Sequence, residues 1–177
     1  MKHSWLIVLI LFSSCKPCQQ LALTLNEPFF VKAFECPENA DCSMELIPNK
    51  SITFKKDNTG ILYPEIVDGE KTLLKYTFKK YPIPNTQDSN YSEIIYAELN
   101  WTITEMALAD DDLQTLKLHF GRFCYCKGET GYFPIKKGVF KMSKNKKNGV
   151  KIDFDFTVKE VPQIITKINE SIVIRSK

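Results

Sequence analysis

The sequence predicts a mainly β fold, namely a single-domain antiparallel β-sandwich or small barrel of about eight strands with one short C-terminal helix. Apolar and polar residues alternate with a period of two along most of the chain, which is typical of half-buried antiparallel strands. Turn-forming residues separate these stretches. The chain has 177 residues, of which 44% are hydrophobic and 12% aromatic, and this suffices for one folded domain with a core.

Two segments give the clearest strand patterns, because their apolar residues all fall on one face. The core-facing residues predicted for the first are Ile95, Ala97, Leu99, Trp101 and Ile103. Those predicted for the second are Ile152, Phe154, Phe156 and Val158. Shorter candidate strands lie within residues 29–34, 52–54, 71–79, 116–125, 140–142 and 172–174.

Turn residues and one helical pattern complete the prediction. Asn148-Gly149 favours a hairpin reversal before the strand that begins near Ile152. The prolines within Tyr81–Ser89 indicate a surface loop. Pro162 suits the first turn of a helix, and we expect the short C-terminal helix there. Its apolar residues have helical spacing and are Val161, Ile164, Ile165 and Ile168.

The strand around Phe120 contains a conflict between alternation and burial. Strict alternation would place Arg122 on the core face and would expose Phe123. A β-bulge at Gly121 would reverse this, burying the aromatic side chain and exposing the charge, which burial energetics favour. We therefore predict a bulge at Gly121.

The first sixteen residues have the pattern of an export signal. A charged start at Lys2 precedes an unbroken apolar run, Trp5–Phe12, that is too short to span a bilayer as a mature helix. The small residues Ser13 and Ser14 follow, and then Cys15. Such a segment is expected to be removed after export.

Leu11-Phe12-Ser13-Ser14-Cys15 resembles the lipobox of bacterial lipoproteins, in a relaxed form similar to that of the Bacteroidota. The resemblance implies cleavage before Cys15 and lipidation of its thiol. It divides the chain into a signal peptide at 1–14, a short tether at 15–20 and one β-rich domain at 21–177. It also implies an exported lipoprotein of the cell envelope, anchored at the outer membrane. The alternative is an ordinary secretory signal cut near Ser14.

The cysteines favour an oxidising compartment. With Cys15 assigned to lipid and Cys18 as the spare, four downstream cysteines are candidates for two disulfides. These candidates are Cys36, Cys42, Cys124 and Cys126. Local pairing joins the first two to each other and the last two to each other, whereas crossed pairing would link the two regions. We favour Cys36 with Cys42; Cys124 with Cys126 requires a kinked backbone.

A basic patch is predicted on the hairpin between Ile135 and Ile152. Its residues are Lys136, Lys137, Lys141, Lys144, Lys146 and Lys147. Such a patch could bind anionic lipid or an acidic glycan, while the simpler interpretation is a set of solubilising lysines that protect a sheet edge. The net charge of +3 gives no reason to expect nucleic-acid binding. The sequence identifies no protein partner.

No catalytic constellation is visible in the sequence. His119 is the only histidine after the signal segment and is expected to be a surface or packing residue. Asp110-Asp111-Asp112 lacks the ligand spacing of a calcium loop and indicates a solvated turn. We expect no cofactor and no metal, and the predicted function is a non-enzymatic binding or structural module. The alternatives are a secreted, lipocalin-like carrier of a small ligand, or a hydrolase without a recognisable motif.

Overall fold

The computed structural model describes Leu25 and residues 27–102, 105–145 and 149–173. These residues form ten β-strands and one 3₁₀ helix at Asp110–Leu116. In chain order the strands are β1 (Phe29–Lys32), β2 (Ala40–Lys56), β3 (Leu62–Lys80), β4 (Tyr91–Leu99), β5 (Met106–Ala109), β6 (His119–Cys124), β7 (Gly131–Pro134), β8 (Lys137–Asn145), β9 (Gly149–Thr157) and β10 (Lys167–Val173).

The strands form two antiparallel sheets that share one hydrophobic core. The large sheet has six strands in the order β1-β2-β3-β4-β6-β7, and the small sheet has four in the order β10-β9-β8-β5. The mainly β, antiparallel prediction is confirmed. Of the two predicted architectures, the sandwich is the one that forms.

The core lies between the sheets and is filled with side chains from both. In β4 the residues Ile95, Ala97 and Leu99 are fully buried, as their alternation predicts, whereas Ile103 lies outside the described residues. In β9 the rings of Phe154 and Phe156 stack with centroids 4.6 Å apart. Aromatic side chains therefore occupy the middle of the sandwich.

Strands β2 and β3 are long, and their hairpin extends beyond the neighbouring strands β1 and β4 of the large sheet. A register shift at Asn49, which has a φ of 58°, divides it into a part within the large sheet and a distal part. We call the distal part, residues 50–56 and 62–68, the arm. Neither β1 nor β4 pairs with the arm. Gly69 lies at its base, where a Cβ atom would collide with the side chain of Ser51.

The arm packs on the outer face of the large sheet. Ile52 is held at both of its backbone groups: its N–H donates to Glu98 Oε2 at 2.9 Å, and its carbonyl accepts from Lys117 Nζ at 2.9 Å. Lys117 and Glu98 also form an ion pair at 2.8 Å. The ring of Phe54 stacks on His119 with centroids 3.6 Å apart. A second, smaller apolar cluster thus forms outside the sandwich core.

The predicted C-terminal helix does not form. The one short helix of the described residues is the 3₁₀ helix that begins at Asp110. Residues 158–166 instead make an irregular segment between β9 and β10, with Val161 and Ile165 buried in the core. Gln163 organises this segment, because its Oε1 accepts from Val158 N–H at 2.5 Å and its Nε2 donates to the Ile165 carbonyl at 2.8 Å. These bonds replace those that a helix would supply.

The bulge predicted at Gly121 is wrong. β6 pairs with β4 and with β7 in unbroken register. Arg122 therefore shares the core face with Phe120 and is buried, while Phe123 is half-buried on the outer face, where its ring packs edge-on against Tyr132. Arg122 can be buried because its hydrogen bonds to Tyr91 and Glu129 offset part of the desolvation cost, and neither partner is evident from the local sequence.

Candidate functional site

An open cavity of about 390 Å³ lies at the end of the sandwich where β3 ends and β4 begins. Three chain segments line it, within residues 80–91, 122–126 and 162–164. Lys80 pairs with Tyr91 across β3 and β4, and Tyr91 pairs with Cys124 across β4 and β6. This register brings the ends of these three strands together at one end of the large sheet.

A buried carboxylate holds in place the segment that lines the cavity with residues 162–164. Glu93 is 0% exposed and lies on the core face of β4. Its Oε1 accepts from the Ile164 N–H at 2.6 Å and from the Tyr91 hydroxyl at 2.6 Å, and its Oε2 accepts from the Ile165 N–H at 2.8 Å. Two backbone donors of an irregular segment are satisfied in this way. Glu93 therefore attaches the segment between β9 and β10 to the large sheet.

Tyr91 links this carboxylate to a buried cation. Arg122 Nε donates to the Tyr91 hydroxyl at 3.3 Å, and Arg122 Nη1 donates to Glu129 Oε2 at 2.7 Å. The guanidinium also lies 5.4 Å from the centre of the Tyr91 ring. Burial, followed by the hydrogen bond to Glu93, raises the pKa of Tyr91 to about 12. Tyr91 thus stays protonated at neutral pH, and its hydroxyl donates a hydrogen bond to the Glu93 carboxylate.

Both disulfides follow the local pairing. Cys36 is bonded to Cys42, and Cys124 is bonded to Cys126. The second bond spans a single residue, Tyr125, whose side chain is 84% exposed at the rim of the cavity. The bond restrains the backbone on both sides of this tyrosine. The cavity therefore carries an exposed aromatic ring on a covalently closed turn.

The cavity has an apolar part and a polar part. Ile83 and Ile164 are exposed beside Tyr125. Asp88, Asn90 and Lys80 supply polar groups on the same surface. Such a mixed lining is suited to binding an amphipathic ligand, since apolar contact provides area and a few polar groups provide orientation.

The lysines of the predicted basic patch do not gather at one point. Lys136, Lys137, Lys141 and Lys144 are exposed along β8 and the residue before it. Lys137 Nζ lies 3.5 Å from Asp110 Oδ2. The β8–β9 register places Lys141 opposite Asp153. Acidic side chains are therefore interleaved with the described part of the patch. Lys146 and Lys147 lie outside the described residues, as does Cys15.

His119 is a packing residue, as predicted. Besides stacking on Phe54, its Nδ1 lies 2.9 Å from the Lys117 carbonyl oxygen. Because a carbonyl can only accept, Nδ1 carries the proton of the neutral ring. Burial lowers the pKa of His119, which also favours the neutral form. Asp110, Asp111 and Asp112 are the exposed first turn of the 3₁₀ helix.

Glu93, Tyr91 and Tyr125 belong to the site although no sequence motif had marked them as site residues. Glu93 is in phase with Ile95, Ala97 and Leu99, so extending that core face back by two residues would have found a buried acid. A charge in phase with a core face is a usable indication of a buried polar network. The meeting of three chain segments at one end of the sheet has no local sequence pattern that could have revealed it.

Comparison with known proteins finds no match among family models, curated proteins or solved structures. Within the described ranges, no group of three or more metal-ligating side chains is placed to hold an ion. No helix among the same residues is long and apolar enough to cross a membrane.

Proposed function

We propose that the protein is exported, is anchored in the cell envelope by a lipid on Cys15, and acts there as a non-enzymatic binding module. The observation that carries the proposal is the pair of local disulfides, Cys36–Cys42 and Cys124–Cys126. Such bonds persist in oxidising compartments and are rare in reducing ones. They agree with the export pattern of the first sixteen residues.

The direction of the chain is compatible with an anchor at Cys15. Residue Phe29 pairs with Leu46, and Lys32 pairs with Ser43 nearer the start of β2, so β1 runs toward the end that carries the cavity. The chain thus comes into the large sheet from the opposite end. From Cys15 to Leu25 the chain can extend at most about 35 Å. An anchored domain would therefore sit close to its membrane.

The geometry gives less support to a carrier or a hydrolase. Aromatic rings fill the space between the sheets, where a lipocalin-like carrier would hold its ligand. The ring of His119 is stacked on Phe54 rather than poised beside a nucleophile. The buried carboxylates Glu93 and Glu170 each accept hydrogen bonds from backbone N–H groups. The open cavity at the sandwich end favours binding.

Metabolic labelling tests the anchor. In a bacterial host grown with an alkyne-bearing palmitate analogue, the wild-type protein should be labelled and recovered with membranes. The Cys15→Ser variant should lose the label, because it lacks the thiol that accepts the lipid. Cys18→Ser, three residues further on, is the matched control and should be labelled like wild type. Equal labelling of wild type and Cys15→Ser would contradict the proposal.

A further inference from the structure

We infer that the cavity at the sandwich end binds a neutral oligosaccharide, with the ring of Tyr125 as the platform on which one sugar stacks. The inference deepens the binding role proposed above and depends on it, but it does not depend on the lipid anchor. Three features of the cavity support it: the exposed ring of Tyr125 between two bonded cysteines, the balance of charges in the lining, and walls without a free strand edge.

Tyr125 is presented as a stacking surface. Its side chain is 84% exposed, and the bond between its two neighbours restrains its backbone. A tyrosine side chain has only two rotatable torsions, so it loses little conformational entropy on binding, and the restrained backbone adds little to that loss. Sugar rings have an apolar face of C–H groups that stacks on such a ring, while their hydroxyls stay free for hydrogen bonds. Ile83 and Ile164 extend the apolar surface next to it.

The polar groups of the cavity suit hydroxyls rather than a strong charge. Asp88 and Asn90 combine hydrogen-bond donors with acceptors on one wall. The hydroxyl of Ser89, between them, is engaged within its own loop by the Ile83 N–H and the Thr86 carbonyl. Each sugar hydroxyl can both donate and accept. Within the described part of the chain, neither Lys80 nor Asp88 takes part in an ion pair. Both side chains are therefore available to a ligand.

The charged side chains that line the cavity are balanced once the ion-pair partner of Arg122 is included. Lys80 and Arg122 are the two cations, and Asp88 and Glu129 are the nearby acids. Arg122 is already paired with Glu129 at 2.7 Å. A polyanion would find no excess of positive charge here, which favours an uncharged ligand over an acidic one.

The cavity walls offer no free strand edge to a peptide. Lys80, Tyr91 and Arg122 are each paired with strands on both sides. Cys124 lies beyond the last β6–β7 pair, and its carbonyl accepts from Thr130 Oγ1 at 2.9 Å. An extended peptide therefore cannot bind here by adding a strand, the mode in which main-chain hydrogen bonds give affinity. Recognition must come from side chains. A volume of about 390 Å³, open to solvent, accommodates part of a longer chain.

Titration calorimetry with the purified full chain tests the inference. The probes are hexasaccharides of glucose, xylose, mannose and N-acetylglucosamine, with hexagalacturonate as a charged probe and a tryptic digest of casein as a peptide probe. We expect at least one neutral hexasaccharide to bind. Tyr125→Ala should weaken its binding roughly tenfold through lost stacking, whereas Tyr125→Phe should retain it.

Two further variants complete the design. Asn90→Ala, on the polar wall, should also weaken binding, while Tyr63→Ala, an exposed tyrosine on the arm, should leave it unchanged. The inference is overturned if no neutral hexasaccharide binds, if binding is indifferent to Tyr125→Ala, or if hexagalacturonate or the peptides alone bind. The Cys15→Ser variant, which lacks the thiol that would carry the lipid, should bind the oligosaccharide like wild type. The result of the titration is thereby independent of the lipid-anchor proposal.

Discussion

Glu93→Gln is expected to lower the free energy of unfolding by about 2–4 kcal/mol, because it leaves a buried donor without an acceptor. The carboxylate accepts three hydrogen bonds, two of them from the backbone of Ile164 and Ile165. An amide has one oxygen, so its NH₂ group would face an N–H donor. Urea denaturation measures the loss, and hydrogen exchange at the two isoleucine amides should quicken.

Glu160→Gln is the matched control for this prediction. Glu160 lies in the same segment between β9 and β10, but its side chain is exposed. Its replacement should change stability by no more than about 0.5 kcal/mol, as is usual at surface positions. Similar stability of Glu93→Gln and wild type would mean that the segment is not held by the carboxylate.

Phe154→Ala is expected to cost about 3–5 kcal/mol, as truncation of a buried phenylalanine usually does. The ring is 1% exposed. It stacks on Phe156 and meets Phe140 edge-on with centroids 5.5 Å apart. Removing it opens a cavity in the middle of the sandwich that neighbouring rings can fill only in part. Equilibrium unfolding in urea measures the change.

Phe34→Ala provides the comparison, since the same substitution is made at a side chain that is 91% exposed. It should leave the unfolding midpoint nearly unchanged. Comparable losses at Phe34 and Phe154 would contradict the assignment of the small sheet's inner face to the core.

The sandwich itself could be predicted because its main signals are local. Alternation along residues 95–101 and 152–158 assigns the core faces correctly. The short spacing of Cys36 from Cys42 makes their pairing the favoured one, and the structure also joins Cys124 to Cys126. Period-two patterns depend only on neighbouring residues, so no knowledge of tertiary contacts is needed.

The features that escaped prediction all depend on distant partners. Arg122 is buried because Tyr91 and Glu129 receive its hydrogen bonds. The expected C-terminal helix gives way to a segment held by Gln163 and Glu93, which together satisfy backbone groups that a helix would have satisfied internally. The arm folds onto the outer sheet face, and alternation alone does not show that a strand extends beyond its sheet.

Disulfide mapping of protein recovered from the cell envelope tests the central claim most directly, namely that this chain is an exported sandwich with two local disulfides. Free thiols are blocked before lysis, and peptides are then analysed without reduction. The account predicts one peptide with an internal bond between Cys36 and Cys42 and another with an internal bond between Cys124 and Cys126. Blocked, unpaired thiols at these four positions, or a bond that crosses between the two pairs, would contradict it.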